Sequence, residues 1–127
     1  MSSAPAVTAF HDIPAYSGPG AIEGVHFRAA GSALGVSAWG MNVIEIDAGA
    51  TGYPEHAHEE DGQEEVYVVL AGSGAIHTAG GDADVAQGDM LRIGPDVRRR
   101  FTAGPDGLAL LALGGTPGQV YAPGMGG

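Results

Sequence analysis

Pro54-Glu55-His56-Ala57-His58 stands directly before the acidic run Glu59-Glu60-Asp61-Gly62-Gln63-Glu64-Glu65 and the apolar run Val66-Tyr67-Val68-Val69-Leu70. Side chains alternate across a β-strand, so two histidines one residue apart point the same way only where the chain is extended. An extended chain aims the imidazoles of His56 and His58 at one point, and a carboxylate that leads the next strand completes the cluster. The segment therefore predicts an all-β barrel that holds a divalent metal ion.

Length and composition indicate one small globular domain. The 127 residues suffice for a single hydrophobic core, and 44% of them are hydrophobic. The chain has no cysteine, so any metal ion would bind His, Asp or Glu side chains. No apolar run approaches the roughly 20 residues that a membrane-spanning helix needs. The first residues also lack the basic start and apolar centre of a secretory signal, and we expect a cytoplasmic protein.

The charge pattern argues against nucleic-acid and membrane partners. The formal net charge is −10 and the chain has no lysine, whereas phosphate groups need clustered positive charge. Three of the five basic residues are consecutive, at Arg98, Arg99 and Arg100. Either these arginines form ion pairs with the acidic surface, or one of them points into the barrel and meets an anionic ligand.

Turn residues divide the chain into short apolar segments, as in a sandwich or barrel. The chain has 23 glycines and 8 prolines, and no long segment has helical periodicity. Val66 to Leu70 is apolar at every position, which predicts a strand covered on both faces, with Tyr67 on the face of Glu65. Residues 1–20 are predicted to be an irregular arm, 21–115 the barrel domain, and 116–127 a flexible tail. The predicted strands are 22–29, 34–39, 41–47, 65–71, 73–78, 83–85, 89–93, 98–102 and 108–113.

The metal-binding pattern resembles the first motif of the cupins, G-x5-H-x-H-x3–4-E-x6-G. In order, its positions are matched by Gly49 or Gly52, His56, His58, Glu65 and Gly72. Six residues separate His58 from Glu65, so the acidic loop between them is longer than in the motif. Glu64 is the alternative ligand, but strand parity and the spacing to Gly72 both favour Glu65.

The second cupin motif, G-x5-P-x-G-x2-H-x3-N, is only partly matched. Residues 88–96 supply its Gly-Asp opening and its turn, but arginines stand where the family has its last metal-binding histidine. Ungapped counting places Arg99 there, and alignment on Pro95 places Arg100 there. His77, on the strand after Gly74, would replace this ligand only if its side chain pointed inward.

The resemblance implies a small single-domain cupin, a double-stranded β-helix or jelly-roll barrel that forms a homodimer. It implies that His56, His58 and Glu65 hold a divalent ion, which could be iron, zinc, manganese, nickel or copper. Two histidines and one carboxylate are similar to the ligands of non-haem iron oxygenases. We therefore expect an enzyme for a small anionic organic molecule, with oxygen-dependent oxidation favoured and isomerase or lyase chemistry as alternatives.

Further roles follow from this expectation. Arg99 would orient the substrate through bidentate hydrogen bonds, and Tyr67 or Glu64 would assist proton transfer. The competing hypothesis is a non-catalytic module that binds a small ligand in a degenerate or empty metal site.

Overall fold

Antiparallel strands account for most of the regular structure in residues 4–122, the part of the chain that the computed structural model describes. The elements are a 3-10 turn (Phe10–Asp12), β1 (Val25–Arg28), α1 (Ala30–Leu34), β2 (Gly40–Ile46), β3 (Glu64–Thr78), β4 (Gly81–Ala86), β5 (Met90–Ile93) and β6 (Arg100–Gly115). The predicted all-β class is confirmed. Residues 1–3 of the predicted arm and 123–127 of the predicted tail lie outside the described residues.

The two longest strands, β3 and β6, pair with each other within the sheet that forms the barrel. The strand order is β1-β2-β6-β3-β4, and β5 pairs with the first half of β3. The pairing of β3 with β6 shifts register between Val69 and Ala71 and again between Gly72 and Gly74. Such irregularities bend long strands, so that a single strand can curve around the barrel.

Gly72 is required at this bend. Its φ is +76°, and a Cβ atom there would lie 2.1 Å from the carbonyl oxygen of Gly107. Only glycine adopts this conformation without strain and leaves room for the opposite backbone. Gly72 therefore allows the bend in β3 that follows the segment containing Glu65.

The main core lies between the inner faces of the strands. It contains Ile44, Ile46, Tyr67, Val69, Ile76, Val85, Ile93, Phe101, Leu108, Leu110 and Ala112. A second cluster covers part of the outer face of β3, where Leu70 packs against Ile13, Ala30 and Val43. The predicted two-sided cover of β3 is thus only partial, because Val66 and Val68 remain half-buried.

The predicted strand boundaries differ from the structure in two respects. The predicted pair 65–71 and 73–78 forms one strand, β3, and the pair 98–102 and 108–113 forms β6. The predicted strand at 34–39 is wrong, because α1 ends there at Gly35, which has a φ of +77°. Five helical residues are too few to show a periodicity, so the pattern of residues did not predict α1. No helix in residues 4–122 is long and apolar enough to cross a membrane.

Replacing Leu110 with alanine should strongly destabilise the fold. Leu110 is 0% exposed at the centre of the main core, so the smaller side chain leaves a cavity. We expect a loss of about 2–5 kcal/mol in the free energy of unfolding. Urea denaturation measures it, with Val120→Ala as control because Val120 is 93% exposed. Equal stability of the two variants would contradict this assignment of the core.

Candidate metal centre

Backbone pairing places His56 directly beside Arg99, the residue just before β6. His56 and Arg99 exchange two backbone hydrogen bonds, of 3.0 and 2.9 Å, and the His58 amide donates to the Pro95 carbonyl at 2.8 Å. This extended pairing directs the side chains of His56 and His58 to the same side, as the sequence predicts. The inward face of β3 brings Glu65 to the same place.

The three predicted ligands converge. Nε2 of His58 lies 3.2 Å from Oε1 of Glu65, and Nε2 of His56 lies 3.6 Å from the same oxygen. Ligand atoms of all three residues lie within 4.8 Å of one another. Metal–ligand bonds of about 2.1 Å in a tetrahedral site separate neighbouring ligand atoms by about 3.4 Å. These separations fit a divalent ion.

Both imidazoles are held by their other ring nitrogen. Nδ1 of His58 lies 3.2 Å from both carboxylate oxygens of Asp61, and Nδ1 of His56 lies 3.4 Å from the carbonyl oxygen of Pro54. These oxygens accept a hydrogen bond from Nδ1–H, so neutral imidazoles would keep the Nε2 lone pairs for a metal. Among residues 4–122, Nε2 of His58 is buried and makes no hydrogen bond. The donor set therefore fits a metal ion.

Asp61 is itself fixed by its neighbours. The backbone amide and the side-chain amide of Gln63 both donate to its carboxylate, each at 3.1 Å. Burial acts to raise the pKa of Asp61, but hydrogen bonds from Gln63 and His58 outweigh it and hold the pKa below its ordinary value. The acidic loop thus supplies an ionised carboxylate that orients His58, a role that the sequence did not indicate.

Glu65 is ionised despite being 2% exposed. Its Oε1 accepts hydrogen bonds from the Arg99 guanidinium and, at 2.7 Å, from the Tyr67 hydroxyl. Burial acts to raise the pKa of Glu65, but hydrogen bonding to His56, Tyr67 and Arg99 lowers the pKa to about 2. The carboxylate therefore carries its negative charge at neutral pH.

A cavity of about 280 Å³ opens onto this cluster. Its polar end contains His56, His58, Glu65, Tyr67 and Tyr53. Sequence reasoning missed Tyr53, whose signal is an aromatic residue three positions before His56. Burial, with a smaller effect of Glu65, raises the pKa of Tyr53 to about 12, so its hydroxyl stays protonated. The far wall is apolar and includes part of the predicted N-terminal arm.

Glu64, a predicted proton-transfer residue and the alternative ligand, and His77, the conditional fourth ligand, lie elsewhere. Adjacent strand residues face opposite sides, so Glu64 points outward and forms an ion pair of 2.7 Å with Arg92. His77 is also turned away, because its Nε2 bonds Thr102 Oγ1 at 2.8 Å and its Nδ1 lies 3.2 Å from Asp82. Neither residue belongs to the cluster of His56, His58 and Glu65.

Arg99 is the arginine that points inward. It is 0% exposed and bonds Glu65 on one side and, at 2.8 Å, the Val97 carbonyl on the other. Arg100 is exposed, and Arg98 is exposed and lies 3.5 Å from Glu55. Arg99 is absent from the residues that line the cavity, so it contacts Glu65 rather than the space where a substrate would lie.

The buried carboxylate should make stability depend on pH. Its pKa is lowered from 4.5 to about 2, so the stabilisation is complete above pH 4.5 and is lost as pH falls towards 2. In metal-free protein, the difference in unfolding free energy between wild type and Glu65→Gln should shrink by about 3 kcal/mol across this range. Urea denaturation at a series of pH values measures this difference. A difference that did not change with pH would contradict the assignment.

Solved structures share the fold. A cupin protein from Bacteroides fragilis matches with a TM-score of 0.63 and 25% identity, over 87% of this chain and 92% of that one. A cupin-superfamily sugar phosphate isomerase from Silicibacter pomeroyi matches with a TM-score of 0.72 and 22% identity, over 93% and 77%. A predicted oxalate decarboxylase from Thermotoga maritima matches with a TM-score of 0.68 and 22% identity, over 86% and 97%.

These matches confirm the jelly-roll fold, and at such identities they show the fold alone. No curated protein matches the chain. The sequence profile described as "Cupin domain" matches residues 42–113, which is more than half of the 127 residues. The chain therefore belongs to the cupin family.

Proposed function

We propose that the protein is a divalent-metal-dependent enzyme that acts on a small anionic organic molecule. The observation that carries this proposal is the convergence of His56, His58 and Glu65 at the polar end of a cavity. His56 and His58 would bind the ion through Nε2, and Glu65 through its carboxylate. A bound divalent ion would act as a Lewis acid, with coordination positions open for substrate or oxygen.

The charges of the site favour an anionic substrate. Arg99 already neutralises Glu65, so a bound dication would leave an excess positive charge in a largely apolar cavity. An anion beside the ion would offset this charge. Arg99 would act through Glu65 as a positioning residue, rather than by contacting the substrate as the sequence suggested.

Two tyrosine hydroxyls would serve as hydrogen-bond donors in the site. Tyr67 donates to Glu65, and burial raises its pKa, so its hydroxyl stays protonated and holds the carboxylate in place. Tyr53 lines the cavity and its hydroxyl would donate a hydrogen bond to the substrate. Glu64 is left out of this proposal because its carboxylate pairs with Arg92 on the outer face.

The ligand set, similar to that of non-haem iron oxygenases, favours oxygen-dependent oxidation. The tyrosine hydroxyls would serve isomerase or lyase chemistry equally well, and isomerase, decarboxylase and lyase all occur among the names of similar structures. Oxygen uptake by iron-loaded protein with a panel of small carboxylates separates these classes. Uptake that depends on the carboxylate supports oxidation, whereas turnover without uptake supports an isomerase or lyase.

A second candidate is a non-catalytic ligand-binding module without metal. The bond between Arg99 and Glu65 favours it, because this pair is already neutral and buried. A unit positive charge and a dication about 5 Å apart repel each other by several kcal/mol at an effective dielectric constant near 20. The metal would have to overcome this repulsion through its bonds to three ligands.

Replacing His56 with alanine should abolish metal binding. Wild-type protein equilibrated with a divalent ion and desalted should contain about one ion per chain, and His56→Ala should contain less than about a tenth of that, because two ligands hold an ion far more weakly than three. Elemental analysis by mass spectrometry measures the content. His26→Ala is the matched control, since His26 pairs with Asp47 away from the site and its loss should change nothing. Substoichiometric metal in the wild type under these conditions would refute the enzyme proposal and leave the binding module.

Asp61 should contribute to metal affinity without touching the metal. Asp61→Ala removes the acceptor that orients His58 and should weaken metal binding about 10–100-fold. Asp61→Asn keeps an acceptor oxygen and should lose less. Competition with a metal-sensitive dye measures the affinities, and Asp106→Asn on the exposed surface serves as control. Unchanged affinity in Asp61→Ala would show that His58 is not held in this way.

A further inference from the structure

Apart from the candidate metal ligands and tyrosines, the cavity lining is apolar and suits an apolar group. Ile22, Val25, Phe27 and Ile44 line it, together with Ala21. These side chains offer dispersion contacts and little hydrogen bonding, so the part of a ligand that lies here gains free energy by leaving water. The ligand end near Glu65 meets a different environment of imidazoles and hydroxyls.

The residues that line the cavity include no arginine and, in a chain without lysine, no other strong cation. Arg99 is buried behind Glu65 and its guanidinium bonds Glu65 and the Val97 carbonyl. A phosphate group would thus find only the metal ion and the neighbouring histidines and tyrosines. A sugar would bury several hydroxyl groups against apolar side chains, and each unpaired hydroxyl is unfavourable.

The cavity has room for a small organic molecule. Its volume of about 280 Å³ lies near the lower end of the range for ligand pockets, about 300–1,000 Å³. Oxalate, with no apolar part, would leave the apolar lining uncovered.

The N-terminal arm and the residues that follow it form part of the cavity lining. The Tyr16 amide donates to the Phe27 carbonyl at 2.8 Å, which ties the arm to β1. Ile22 packs so closely over Gly52 that a Cβ atom at Gly52 would lie 2.6 Å from Ile22 Cγ2. Residues that precede β1, such as Tyr16 and Ile22, therefore form part of the cavity lining, although they are far in sequence from the predicted metal ligands.

From these observations we propose that the substrate is a small amphipathic monocarboxylic acid. Its carboxylate lies at the end formed by His56, His58 and Tyr53, and its branched or aromatic apolar part packs against Ile22, Phe27 and Ile44. Ile22, in the segment between the arm and β1, is a specificity-determining residue for the apolar part. This inference rests on the proposed metal-dependent function and names the substrate class of the same site.

Calorimetric titration of zinc-loaded protein with matched probes tests this inference. The probes are acetate, 4-methylpentanoate, phenylacetate, inorganic phosphate and glucose 6-phosphate. Each buried methylene should tighten binding about fourfold, so phenylacetate should bind at least about tenfold more tightly than acetate. Glucose 6-phosphate should bind no more tightly than inorganic phosphate.

Variants at residues 21 and 22, just before β1, test where the apolar part of the ligand binds. Ile22→Ala should weaken phenylacetate binding about 5–20-fold while acetate binding stays within about twofold, because only the longer acid reaches this wall. Ala21→Phe, which narrows the cavity without removing core atoms, should have the same selective effect. Val120→Ala is the control, since Val120 is exposed and does not line the cavity.

The metal content of each sample separates the two hypotheses. Bound zinc with equal affinity for acetate and phenylacetate, or with glucose 6-phosphate as the tightest probe, overturns the substrate class and leaves the metal-dependent function standing. Phenylacetate binding to protein that holds no zinc overturns the metal-dependent function and supports the apolar-acid site. Loss of acetate binding in Ile22→Ala equal to that of phenylacetate overturns the role of Ile22.

Discussion

The site depends on one buried carboxylate. Glu65 is ionised inside the barrel because hydrogen bonding to His56, Tyr67 and Arg99 lowers its pKa, since burial alone would keep it protonated. Two imidazole nitrogens face the same oxygen from the opposite chain segment. The carboxylate thus lies between a fixed cation and the position where a metal cation fits.

Arg99 explains how this chain retains a charged site without the last histidine of the second cupin motif. The inward-facing strand position holds a guanidinium that neutralises Glu65, so a metal-free barrel avoids an unpaired buried charge. A metal ion would bind to an already neutral pair, so the proposed anionic substrate would complete the charge balance. The apolar lining of the cavity is the second reason for proposing an acid with a hydrophobic body.

Much of this could be predicted from local rules of spacing. Alternation in extended chain placed His56 and His58 together, and strand parity distinguished Glu65 from Glu64, whose carboxylate pairs with Arg92. The bend at Gly72 follows from a positive φ and a close backbone approach. The position of Arg99 needed the barrel pairing, because three consecutive arginines carry no sign of which one is buried.

Long-range packing determined what the sequence could not indicate. Ile22, just after the arm, reaches the cavity because it packs over Gly52, a contact between segments far apart in the chain. Asp61 looked like one charge among several, and its bond to His58 depends on how the long acidic loop folds back. The predicted strand at 34–39 was wrong because α1 ends there, and a helix of five residues is too short to show a periodicity in the sequence.

We expect His56, His58 and Glu65 to bind one divalent ion. Anomalous X-ray diffraction at the zinc edge, from crystals grown with zinc, would locate such an ion. A single strong anomalous peak should lie about 2.1 Å from Nε2 of both histidines, with the Glu65 carboxylate as third ligand. Absence of a peak between these residues, with Glu65 bonded only to Arg99 and Tyr67, would refute the assignment of the three ligands.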